Sequence, residues 1–296
     1  MKPGAIGIGA QKCMTSWVHA LAAAHPGIAA STPKEVDFFS YHFDRGYAWY
    51  ERHFPDDGRL GFEASPSYLH DPRAPLRAAA YAPDLRILVL LRDPVERAYS
   101  NHLHEIAKGH FPNTTFAEGI ANNPAYVEQG LYATHLRRWF DHFPRENILC
   151  LLVEEIRTDT ARAAAMVYQF LGVDPDHRSG VIDERRNESD RARLPALRTV
   201  LRAGGDTARR LGLEESLLRI KRAPGIAQML KANSIPLRDE VPPPAPDDIA
   251  RLRAIFAPEV EALAKLLGRG ALPWPGYETR GAGADRTAAL CAAARI

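Results

Sequence analysis

A chain of 296 residues, 46% of them hydrophobic, has enough apolar side chain to bury one large core or two small ones, which excludes an intrinsically disordered protein. Its 38 basic and 36 acidic residues leave a formal net charge of +2, so no long-range field singles out nucleic acid as a partner and any anion site has to be local. Cys13, Cys150 and Cys291 form neither a disulfide framework nor a zinc spacing, no apolar run has membrane-spanning length, and the amino terminus lacks a signal-peptide pattern; a cytoplasmic, metal-free protein is expected.

In chain order, GAIGIG at 4–9 reads as a short strand, followed by a polar loop and a helix from Thr15 to about His25. LRILVLL at Leu85–Leu91 reads as a second buried strand, and the proline in RDPVERAYSNHLHE opens a second helix. A helix over Ala133–Phe143, a third strand over Asn147–Val153 and a helix over Thr160–Leu171 follow. Strands alternating with helices predict an α/β fold with a mostly parallel central sheet covered on both faces.

From Arg185 to about residue 240 the chain is Arg-rich and reads as strand-free, a helical cap or lid. VPPPAPDD at 241–248 is an extended spacer whose Asp247 or Asp248 is expected to cap a helix running to about Leu267, with Leu252, Phe256, Val260 and Leu263 as its apolar stripe. One domain over 1–280 and a disordered tail over 281–296 complete the expected organisation.

The first loop, AQKCMTSW, sets Lys12 ahead of Thr15 and Ser16 at a helix N-terminus, where backbone amides and the helix dipole favour an anion. An ordinary helix cap is the plain alternative. GxxxxGK[ST] is absent, because Cys13 and Met14 separate Lys12 from Thr15, and this weighs against a nucleotide or small-molecule kinase. Arg92 closes the strand LRILVLL and Ser100 follows two helical turns later, a placement suited to a second phosphate. Arg92 could equally serve as a structural partner of Asp93 or Glu96. In STPKEVDFFSYHFDRGYAWYERHFP, Glu35 beside apolar residues suits a proton acceptor, while KE is also a common surface pair.

Taken in order, GxxKCxTS, KEVDFF…DRGYAWYERHFP, FEASPSYL, LRDPVERAYSNHLHE and GLYATHLRRWFDHFPRENILCLLVEEI resemble the sulfotransferases that use 3′-phosphoadenosine-5′-phosphosulfate (PAPS), nearest the heparan sulfate branch. The resemblance covers roughly Ile6 to Asp174. It implies a P-loop-like three-layer fold, PAPS as donor and the 3′,5′-bisphosphate as product. It places Lys12 on the transferring group, with Gln11, Cys13, Met14, Thr15, Ser16 and Trp17 around the 5′-phosphate, and Arg92 and Ser100 on the 3′-phosphate. Glu35 falls on the catalytic base; Lys34 and Tyr132 are assigned to the acceptor cleft.

Two departures stand out: Met14 occupies a usual glycine, and Ala64 replaces a lysine that supports the reaction in the animal enzymes. Lys12, or Arg185 or Arg186 from the cap, would have to make up that charge. The expected acceptor is a hydroxyl or amine of a saccharide, lipid or small metabolite, with no nucleic-acid partner and self-association left open. A nucleotide-binding relative without chemistry is the remaining rival.

Overall fold

Ala5–Gly9 forms β1, buried at every residue, and it lies at the centre of a five-stranded sheet. The computed structural model describes residues 1–110, 115–182, 190–192 and 234–277. The other strands of this sheet are β2 (Ile28–Ala30), β3 (Leu60–Ala64), β4 (Arg86–Leu91) and β5 (Ile148–Leu152), in the order β2-β3-β1-β4-β5, all parallel. Gly7 pairs with Ala64 across β1 and β3, and a Cβ on Gly7 would stand 3.1 Å from that of Ala64, so glycine lets the two strands approach. β4 carries the run RILVLL because a central parallel strand is covered on both faces and has no solvent side for polar residues.

Helix α1 (Thr15–Ala23) follows β1 and turns Trp17, Val18, Leu21 and Ala22 inward, packing on β2 and β3. The next helices are α2 (Tyr47–Glu51), α3 (Ala74–Tyr81) and α4 (Pro94–Lys108). Asp93 Oδ1 accepts the amides of Val95 and Glu96, and with Pro94 in the first position this starts α4 at that point. After α5 (Phe116–Asn122), α6 (Ala125–Glu128), α7 (Tyr132–Phe140) and α8 (Val153–Thr158) comes α9 (Thr160–Leu171), which packs on β4 and β5. Asp159 caps α9 by accepting the Arg162 amide at 2.9 Å, and Gly172, at φ 70°, ends it in the left-handed region.

The described residues fall into two compact units, one of residues 1–102, 115–182 and 244–277, the other of 103–110, 190–192 and 234–243. The second unit corrects the strand-free reading of the Arg-rich stretch. Asp190–Ala192 (β6) pairs antiparallel with Ser234–Pro236 (β7), and α10 (Leu237–Glu240) follows. That pairing joins segments far apart in sequence, where local periodicity carries no signal for it. The rest of the expected cap and the 281–296 tail lie outside the described residues.

In the larger unit α11 (Pro246–Leu266) buries the anticipated stripe Leu252, Phe256, Val260 and Leu263. Its N-cap is Ala245, with no side-chain cap. Asp247 and Asp248 sit one step inside, in the first turn, where they face the helix dipole instead of capping it. Glu259 ties α11 to α7 by accepting the Thr134 amide (2.9 Å) and hydroxyl (2.6 Å).

Candidate active site

Parallel strands carry their following loops out at one edge, so β3, β1 and β4 deliver three neighbouring segments within about 10 Å of one another. β1 supplies Ala10–Met14 and then α1; β3 supplies Ser65 onward; β4 supplies Arg92. The segment after β2 is drawn to the same edge, since the Lys34 carbonyl accepts the Ala64 amide (3.4 Å) and the Ser31 hydroxyl (3.1 Å).

The loop after β1 turns through two left-handed residues, Lys12 at φ 67° and Met14 at φ 61°. Met14 is the N-cap of α1 and makes no side-chain cap hydrogen bond, while its carbonyl accepts the Trp17 and Val18 amides. The left-handed backbone explains why glycine suits this position: Met14 carries a Cβ where glycine would carry none.

Gln11, Lys12, Met14 and Ser16 are partly exposed, whereas Cys13 and Trp17 are wholly buried, their amides bonded to the carbonyls of Ala10 and Met14. The side chains of these two therefore lie in the core. Tyr132, expected in the acceptor cleft, is 1% exposed and meets Cys13 Sγ at 3.9 Å beneath the loop. Burial pushes the Cys13 thiol up to about 11, opposed by the positive charges of Arg97 and Arg92.

Arg92 is 7% exposed and its Nη2 donates to Glu96 Oε2 at 2.8 Å, so the structural pairing weighed for it exists. Its Nε is buried with no hydrogen-bond partner among the described residues, a donor left for an anion. Ser100 lies on α4, partly exposed. Arg185 and Arg186 lie outside the described residues.

Lys34 and Glu35 come to the α1 terminus. Lys34 Nζ donates to Glu35 Oε1 at 2.6 Å and to Thr15 Oγ1 at 3.2 Å. The Glu35 side chain is 49% exposed. Phe38 and Phe39 are buried: Phe38 stacks on Tyr50, and Phe39 meets Tyr68 edge-on and Tyr81 at a tilt. Ala64 is fully buried.

Glu63 was missed by reading the sequence. It is fully buried on β3, and burial pushes its carboxyl up to about 7 against the hydrogen bonds of Ser65, Tyr68, Tyr50 and the Val36 amide. The only local sign is FEASPSYL, where an acid interrupts an otherwise apolar strand.

The sulfotransferase domain family matches residues 3–193. Human heparan sulfate glucosamine 3-O-sulfotransferase 3B1 is 33% identical over 181 residues, covering 58% of this chain and 46% of that protein. Human bifunctional heparan sulfate N-deacetylase/N-sulfotransferase 3 is 32% identical over 195 residues, covering 57% of this chain and 22% of its own. The chain thus spans less than half the length of these curated relatives. A solved sulfotransferase from Alicyclobacillus acidocaldarius superposes with a TM-score of 0.65 at 25% identity, covering 91% of this chain and 97% of the other.

Proposed function

Because the chain belongs to the sulfotransferase domain family, we propose that it transfers the sulfuryl group of PAPS to a hydroxyl or amine, with Glu35 as the base. The observation that carries this reading is the meeting of Glu35, through Lys34, with an α1 terminus that no side chain caps.

The α1 amides, Ser16 and Lys12 would hold the 5′-phosphosulfate; Arg92 and Ser100 would hold the 3′-phosphate. These groups fit a nucleotide phosphorylated at both ends, since the helix terminus and the unpartnered Arg92 Nε are separate donor sets on adjacent strands. In the reaction the sulfur–oxygen bond to the 5′-phosphate breaks and a bond from sulfur to the acceptor forms. The acceptor proton passes to Glu35, and negative charge grows on the departing phosphate oxygen. Lys34 stands at Thr15, beside that growing charge, and supplies the cation that the buried Ala64 cannot.

The acceptor is proposed as a class. The curated relatives are named for heparan sulfate glucosamine, and a saccharide, lipid or small metabolite with a free hydroxyl or amine is the corresponding expectation here. Calorimetry with adenosine 3′,5′-bisphosphate, with ATP and magnesium as control, tests the donor site. Micromolar binding of the bisphosphate that disappears in Arg92→Ala supports it; binding of ATP with magnesium and none of the bisphosphate overturns it in favour of a kinase. PAPS turnover in Glu35→Gln tests the base, which an unimpaired rate would remove.

A further inference from the structure

Three consecutive backbone amides follow Glu35, and all three end on one carboxylate. The Val36 amide donates to Glu63 Oε2 at 3.3 Å. The Asp37 amide donates to Ser65 Oγ at 2.9 Å, and the Ser65 hydroxyl donates to Glu63 Oε2 at 2.5 Å. The Phe38 amide donates to the Tyr68 hydroxyl at 2.8 Å, and Tyr68 donates to Glu63 Oε1 at 2.6 Å. Tyr50 from α2 supplies the fourth donor at 2.7 Å.

A hydroxyl has one proton. Ser65 and Tyr68 each direct theirs at Glu63, which leaves their oxygens free to accept from Asp37 and Phe38. The carboxylate therefore sets the direction of every bond in the network, although it touches only one of the three amides. Its four hydrogen-bond partners among the described residues are all neutral donors. The segment has a reason to need holding: Asp37, two residues after Glu35, is in the left-handed region at φ 53°.

We propose that Glu63 is a positioning residue for sulfuryl transfer, holding the Val36–Phe38 backbone so that the neighbouring Glu35 is aimed at the acceptor. The proposal rests on Glu35 being the base. Glu63 is fully buried, so in this reading it acts through Glu35. Removing its charge leaves the donor site on β1 and β4 intact and misdirects the base, so the loss falls on turnover. Glutamine in its place keeps the volume but sets an NH2 against the donors, and Ser65 or Tyr68 must turn its proton away.

The test is PAPS turnover, with 4-nitrophenol and a glucosamine oligosaccharide as acceptors, beside calorimetry of the bisphosphate. The proteins are the wild type, Glu63→Gln, Glu35→Gln and the double variant. Misplacing a catalytic group by about 1 Å costs about a hundredfold, so Glu63→Gln is expected to lower kcat about 30- to 100-fold while the bisphosphate Kd stays within about twofold. The double variant is expected to be no slower than Glu35→Gln, because Glu63 acts through Glu35. An unchanged kcat in Glu63→Gln, or a full additive loss in the double variant, overturns the positioning role. Full activity in Glu35→Gln removes the base reading and the proposal with it, a result distinct from an active Glu63→Gln beside an inactive Glu35→Gln. Should Glu63→Gln fail to fold, Tyr68→Phe cuts the link between the Phe38 amide and Glu63 by removing the acceptor of the one and a donor to the other; a loss of about tenfold in kcat at unchanged Kd supports the proposal, and no loss overturns it.

Discussion

Lys34 Nζ lies 2.6 Å from Glu35 Oε1 and 3.2 Å from Thr15 Oγ1, so one ammonium joins the proposed base to the first turn of α1. A surface lysine pairing with its neighbour in sequence has no need to reach a hydroxyl on another element. A cation spanning the two orients the carboxylate and opposes the charge that develops at the helix terminus. Charge-assisted hydrogen bonds contribute about 1.5–3 kcal/mol, so Lys34→Met is expected to lower kcat about 10- to 100-fold and to weaken bisphosphate binding less than about tenfold. Steady-state PAPS turnover beside calorimetry checks this; equal losses in both would make Lys34 a donor-binding residue instead.

Arg92 is buried yet engaged by Glu96, whose own side chain is 48% exposed. An anion arriving at Arg92 therefore competes with a carboxylate that water can readily take back. Glu96→Gln removes the competitor and the negative charge together. Half-exposed pairs hold weakly, so bisphosphate affinity should rise by about 3- to 10-fold, whereas Arg92→Ala should lower it at least about a hundredfold. Calorimetry of the two variants at one ionic strength separates the outcomes, and weaker binding in Glu96→Gln would mean that the ion pair serves to aim the guanidinium.

Much of this arrangement was legible in the sequence, and the reasons differ by element. β4 and α9 could be read because an apolar run and the Asp159 and Gly172 punctuation are local signals. β2, three residues of IAA, and β3, LGFEA, show no such run and are strands because β3 pairs with β1 and β2 pairs with β3. The loop residues Lys12, Thr15 and Ser16 and the Arg92 position came through motif spacing. Which way a side chain faces did not: Trp17 and Tyr132 lie inward, and Glu63 gathers partners 5, 13 and 27 residues away.

Met14 holds a left-handed backbone, φ 61° and ψ 23°, at the N-cap of α1. A side chain in that region costs about 1–2 kcal/mol, while glycine carries an entropic penalty of about 0.5–1 kcal/mol on folding. Met14→Gly is therefore expected to leave stability unchanged or raise it by up to about 1 kcal/mol, the reverse of most substitutions to glycine. With the side chain gone from beside the α1 amides, bisphosphate binding should strengthen. Urea unfolding and calorimetry check both halves; a clear loss of stability would show that Met14 packs usefully and offsets its backbone strain.

Glu63 adds a pH dependence of stability whose sign follows from proton linkage. Burial raises its carboxyl from the ordinary 4.5 to about 7, so between these values the folded chain holds a proton that the unfolded chain has released. Stability from this group is then full below about 4.5, falls as pH rises towards about 7 and is level above, a change on the order of 3 kcal/mol. Burial raises the carboxyls of Asp37 and Asp93 too, adding to the same slope. The contribution of Glu63 is isolated by comparing urea midpoints of the wild type and Glu63→Gln at pH 5 and pH 8. The variant should lose part of the wild-type decline. Since the four-donor network around Glu63 is that of the ionised carboxylate, the form that aims Glu35 is the less stable one, and kcat should rise through the same interval in which stability falls. A wild-type decline retained in full by Glu63→Gln would assign the slope to the aspartates and leave Glu63 ionised throughout.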